Sequence, residues 1–163
     1  MIPSFDNNGG STTGWSSSTP GYTGKFYQGT GFDVCGSYNA FLDARNASNS
    51  NPFWFWQQVN GVTPGSQYSL SIYGGTHDPS KNHAFLLSFY NAGGTRLSRD
   101  SVQVDYDVDI NPGLQLYLLQ GIAPTGTSYL RVEGRGVGDY LKVDLACLTL
   151  SSQPASLGDY VWY

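Results

Sequence analysis

Residues 53–73 read FWFWQQVNGVTPGSQYSLSIY, and two features of that stretch decide the fold class. The first is alternation. Successive side chains of a strand point to opposite faces, so Phe53 and Phe55 go one way while Trp54 and Trp56 go the other. Tyr68, Leu70 and Ile72 alternate in the same way with Ser69, Ser71 and Tyr73. The second feature is punctuation, because Asn60-Gly61 and Pro64-Gly65 supply turn chemistry between the two runs. The stretch predicts two strands joined by a turn.

The same pattern continues in both directions. HAFLLSFYNAGG, SVQVDYDVDINPG, LQLYLLQGIAPTGT, SYLRVEGRG and DYLKVDLACLTL are each strand-like and separated by Gly, Pro and Asn. Upstream, IPSF, GKFYQG and SYNAFLDAR predict further short strands, with Trp15 in a Ser/Thr/Gly loop. Helical spacing with a cap is not evident, and neither is an internal repeat. About ten strands in one domain imply an all-β fold, an antiparallel β-sandwich of the jelly-roll kind.

Composition agrees. The chain has 163 residues, enough for one domain with a real core, and only 12% of them are charged while Gly (21) and Tyr (12) are abundant. Net charge is −4, and the eight Lys and Arg are scattered singly along the chain, which offers no basic stripe and argues against nucleic acid as a partner. No apolar run approaches the roughly 20 residues of a membrane span, so membrane insertion is not expected. Met1 runs directly into IPSFDNNGG without a charged n-region or an apolar h-region, which reads as a domain cut from a longer precursor. Cys35 and Cys147 are too few and too far apart for a zinc pattern. They leave two readings open, a bridge from an early strand to the last one, or two buried thiols.

Catalysis finds little support. There is no Gly-x-Ser-x-Gly elbow and no His-Glu-x-x-His, the histidines are His77 and His83, and Glu133 is the only glutamate. Asp105, Asp107 and Asp109 are expected on one face of a strand as solvated acidic residues. They do not form an EF-hand, since Ile110 and Leu116 stand where that loop needs Gly and a bidentate Glu.

In order, these features resemble jelly-roll carbohydrate-binding modules, the galactose-binding-like sandwiches. IPSFDNNGGSTTGW resembles their opening, FWQQVNGVTPGSQYSLSIYGG their central hairpin, and LLSFYNAGGTRL, GIAPTGTSYLRV and YLKVDL their later strands. The likeness spans roughly residues 2–150, expected to be the module. Residues 151–163 are expected to be a linker and the start of another unit, because SLGDYVWY resembles the first strand of the B-type repeats of bacterial cell-surface adhesins.

The resemblance implies a binding face. Phe53, Phe55, Gln57, Val59 and Val62 fall inward in the family pattern, which sends Trp54, Trp56 and Gln58 outward as a platform for sugar rings, with Tyr73 and Tyr90 in the same outer set. Three other fates stay open for the two indoles: cover by the loops of residues 7–50, a cross-strand pair that only stabilises the sheet, or an oligomer interface. The resemblance also implies a structural calcium ligated by Asp6 and Asp144, against the reading that Asp6 caps a turn and Asp144 holds backbone amides. The expected function is a non-catalytic carbohydrate-binding module, with a polysaccharide or glycan as partner, in an extracellular or cell-surface protein with neighbouring domains. The alternative is an adhesin or structural sandwich that binds a protein or acts as a spacer.

Overall fold

The computed structural model describes residues 14–18, 26–29, 34 and 39–151. Ten strands occur among them: β1 (Ser16–Ser17), β2 (Phe26–Gly29), β3 (Asn39–Asp43), β4 (Phe53–Asn60), β5 (Gln67–Thr76), β6 (Ala84–Tyr90), β7 (Arg96–Gln103), β8 (Gln115–Ile122), β9 (Tyr129–Gly136) and β10 (Tyr140–Ser151). They pair antiparallel into two sheets, β1-β4-β9-β6-β7 and β2-β3-β10-β5-β8. The fold is the expected antiparallel jelly-roll sandwich.

Alternation builds the core between the sheets. Phe55, Phe85, Phe89, Leu130 and Val132 from the first sheet meet Leu42, Leu70, Ile72, Leu119 and Leu141 from the second, all of them buried. Gly134 lies directly across from both Phe55 and Phe85 in the ladder. A Cβ there would collide with the Phe55 ring, so only glycine leaves room for that ring in the layer.

Three expectations change. The turn at residues 61–66 does not close a hairpin. Gly61 and Gly65, both with positive φ, instead carry the chain from β4 in the first sheet to β5 in the second. The VDYDVDI segment, residues 104–110, is not a strand, because β7 ends at Gln103 and the aspartates make local turn and side-chain bonds instead. Asp107 takes the Asp109 amide at 2.9 Å, the local turn to which aspartate is suited, while Asp109 Oδ1 lies 2.7 Å from His77 Nδ1. The strand before it begins at Arg96, in a segment too polar to read as one: β7 is a sheet edge, with Arg96, Leu97, Arg99, Ser101 and Gln103 exposed.

IPSF, Asp6, Cys35 and the tail from residue 152 lie outside the described residues. Cys147 is a half-buried free cysteine.

Candidate functional site

The outer face of the first sheet is where aromatic and polar side chains converge. Register sets its rows. Trp54 stands beside Arg135 and then Ala84, Trp56 beside Glu133 and Leu86, Gln58 beside Arg131 and Ser88, and Tyr129 pairs with Tyr90. Ser88 and Tyr90 extend to Arg99 and Arg96 on β7. The short strand β1 closes the other margin, where Ser18 Oγ accepts the Trp54 amide at 3.0 Å and the Ser18 amide donates to the Trp54 carbonyl.

Two hollows lie along this face and share Trp54. One, of about 300 Å³, is lined by Trp54, Trp56, Tyr90, Arg96, Arg131 and Glu133 together with Ser18 and Phe55. The other, of about 480 Å³, lies among Asn49, Pro52, Trp54, Asn82, Arg99 and Arg135. Both indoles are half-buried, so part of each is covered and part lines the groove.

Arg131 is the hub of the smaller hollow. Its guanidinium carbon is 5.3 Å from the Trp56 ring centre, 5.1 Å from Tyr90 and 5.5 Å from Tyr129, while the two tyrosines stack at 5.1 Å and 7°. Cation–π attraction to three rings holds the charge in place, and Nη2 reaches Gln58 Oε1 at 3.5 Å. Arg131 Nε is buried with no hydrogen-bond partner.

Glu133, 6% exposed, forms the floor. Its carboxylate accepts Ser88 Oγ at 2.7 Å and Tyr90 OH at 2.8 Å. Burial, reinforced by the hydrogen bond to Glu133, holds the Tyr90 phenol above its ordinary range, so it stays a neutral donor at physiological pH. The groove therefore presents rings for stacking and fixed donors and acceptors for hydroxyls. Glu133 is the one carboxylate in its described lining, whereas glycoside hydrolysis ordinarily works with a pair. Neither His77 nor His83 lines it.

Of the residues expected at the site, Trp54, Trp56, Gln58 and Tyr90 share this face. Tyr73 does not. It lies on β5 in the other sheet, outward on the far side of the sandwich, because residues 61–66 cross between sheets. Reasoning from sequence missed Tyr129, Arg131, Glu133 and Arg135, although SYLRVEGRG carries them at every second position, and it missed Arg96 and Arg99. Asp144 is buried, and its oxygens accept the Val34 amide at 2.8 Å and the Leu145 amide at 2.7 Å. No group of three or more metal-ligating side chains occurs among the described residues.

The fold and groove together define a class, the jelly-roll sandwich with an aromatic and polar groove on one sheet. Solved structures of that fold include TmCBM61 in complex with β-1,4-galactotriose (TM-score 0.60, 17% identity, 91% of this chain and 95% of that one). They also include the CBM22-1 xylan-binding domain of Paenibacillus barcinonensis Xyn10C (TM-score 0.64, 15% identity, 88% and 89%). A cyclase from Fischerella sp. TAU is similar to the same degree (TM-score 0.63, 14% identity, 86% and 86%). The chain spans about a fifth of the bacteriophage CBA120 tailspike protein 4 chain that it also matches. At these identities the likeness is one of fold. No family model matches the chain, and no curated protein does.

Proposed function

We propose that this chain is a non-catalytic glycan-binding module of an extracellular or cell-surface modular protein, and that glycan lies along the outer face of the first sheet. The observation that carries the reading is the groove itself. Trp54 and Trp56 are half-buried in its wall, Tyr90 and Glu133 line its floor, and two hollows run along one sheet. Apolar faces of sugar rings stack on such indoles while ring hydroxyls exchange hydrogen bonds with Gln58, Tyr90 and the arginines. Binding at one open groove is weak, and repetition in a modular parent raises it through avidity. Carbohydrate-binding modules among the solved structures of this fold add support, one of them with β-1,4-galactotriose bound.

The test is affinity electrophoresis against a panel of soluble polysaccharides, with Trp54→Ala and Trp56→Ala beside the parent chain. Retardation by at least one polymer, lost in both variants while their melting stays cooperative, supports the reading. Equal mobility of parent and variants in every polymer overturns it.

A structural calcium shared by Asp6 and Asp144 is a separate proposal that rests on the family resemblance. Asp144 supplies the kind of buried oxygen a hard cation takes, although two backbone amides already engage it. A melting temperature that falls on adding excess chelator and returns with Ca²⁺ supports the ion, and one that does not move removes it.

A further inference from the structure

Folding gathers charge that the sequence scatters. Four of the eight Lys and Arg residues, Arg96, Arg99, Arg131 and Arg135, come to the outer face of one sheet of a chain with net charge −4. They divide evenly, with Arg96 and Arg131 lining the smaller hollow and Arg99 and Arg135 the larger. Arg131 and Arg135 stand four residues apart on β9, about 13 Å at the usual strand rise, so positive charge is present at both ends of the groove.

Among the described residues none of these guanidiniums is in an ion pair. The ion pairs among those residues are Arg45 with Asp43, His77 with Asp109, and Lys81 with Asp78, none of them on this face. The one carboxylate in the described lining is Glu133, hydrogen-bonded to Ser88 and Tyr90, and the four arginines exceed it by three charges. Arg135 is held by carbonyl oxygens, at 2.7 Å to Asn82 and 3.3 Å to Asn49 Oδ1, which fix its direction without neutralising it. Burial, with the charge of Arg99 nearby, depresses its affinity for a proton. A surface meant only for solubility leaves its arginines in water. Here two of the four are half-buried, and one is clamped among three rings.

We propose that the groove takes an acidic glycan, a sugar chain bearing carboxylate or sulphate groups, and that these four arginines read its charge. The guanidinium fork donates paired hydrogen bonds to two oxygens of a carboxylate or a sulphate, and the rings beside it take the sugar's apolar face. This proposal rests on the glycan-binding reading above and specifies its ligand.

The experiment uses the whole chain in affinity electrophoresis and calorimetry against two matched pairs: polygalacturonate with its full methyl ester, and dextran sulphate with dextran. Neutral xylan and galactan and a single-stranded oligodeoxynucleotide complete the set. The expected result is binding to one acidic polymer at least tenfold tighter than to its uncharged counterpart, weakening as salt rises. Whichever pair responds identifies carboxylate or sulphate. The exposed-site double variant Arg96→Gln/Arg99→Gln should melt like the parent and lose at least tenfold in affinity for the acidic polymer, a larger loss than it shows for any neutral polymer. Equal affinity within both pairs overturns the acidic preference and leaves glycan binding standing. Oligonucleotide affinity equal to that of the polymers overturns it as well, as would an unchanged affinity in the double variant. Blank results with every polysaccharide overturn both readings.

Discussion

His83 gives a prediction whose size follows from its surroundings. The ring is completely buried, its Nδ1 accepts the Val137 amide at 3.4 Å, and Nε2 has no hydrogen-bond partner. Burial is the main cause that lowers its pKa from 6.5 to about 4, outweighing the attraction of Asp139 and Asp78. The unfolded chain therefore binds a proton near pH 6.5 that the folded chain refuses until about pH 4. Stability is fully present above pH 6.5 and is lost as pH falls through the interval between those values. Integrating that difference gives a loss of about 2 kcal/mol by pH 5 and about 3 kcal/mol by pH 4 from this group alone. Urea denaturation at intervals from pH 7.5 to 4 measures the sum over all groups. Proton NMR isolates His83, since the chain has only one other histidine. Its ring resonances should stay at their neutral positions at pH 5.5. A titration midpoint near 6.5 in the folded protein would refute the reasoning.

Other perturbations probe the packing and the groove. Gly134→Ala forces a methyl into the Phe55 ring and should cost at least about 2 kcal/mol in urea unfolding; an unchanged midpoint contradicts the layer described between β4, β9 and β6. Tyr90→Phe removes one of the two hydroxyl donors to buried Glu133 and should destabilise by roughly 1–3 kcal/mol in urea unfolding. An unchanged unfolding midpoint would show that the hydroxyl does not serve that carboxylate. Asp100 accepts the Gln120 amide at 3.0 Å on the free edge of β8, beside exposed Leu116, Leu118 and Ile122. Asp100→Ala should cost about 1 kcal/mol and promote concentration-dependent association visible by light scattering. A variant as monomeric and stable as the parent would argue that the carboxylate does not guard that edge.

The sandwich was legible in sequence because its strands alternate and its turns carry Gly, Pro and Asn. Phe53 and Phe55 are buried and Trp54 and Trp56 face outward, as the period of two requires. What failed was long-range arrangement. A turn containing Asn-Gly and Pro-Gly serves a hairpin or a crossover equally well, so nothing local distinguishes Tyr73 beside Trp54 from Tyr73 on the opposite sheet. The aspartates at 105, 107 and 109 mimic strand alternation, yet short side chains that bond the nearby backbone favour turns. Strand β7 escaped notice for the converse reason. An edge strand with one face on the groove and one margin in solvent has no need of an apolar run, so Arg96–Gln103 looks like a loop. Counting charges along the chain likewise concealed the arginine cluster, since residues 96, 99, 131 and 135 become neighbours only when β6, β7 and β9 align.

The central claim is that ligand lies over Trp54 and Trp56 on the outer face of the first sheet. Indole N–H resonances in ¹⁵N-labelled protein report on that directly, since only four tryptophans must be assigned. Titration with a retained polysaccharide should move the Trp54 and Trp56 signals, together with the Arg131 side chain, and leave amides around Tyr73 on the opposite sheet unchanged. Binding that shifts the Tyr73 face while both indoles stay still would contradict the account.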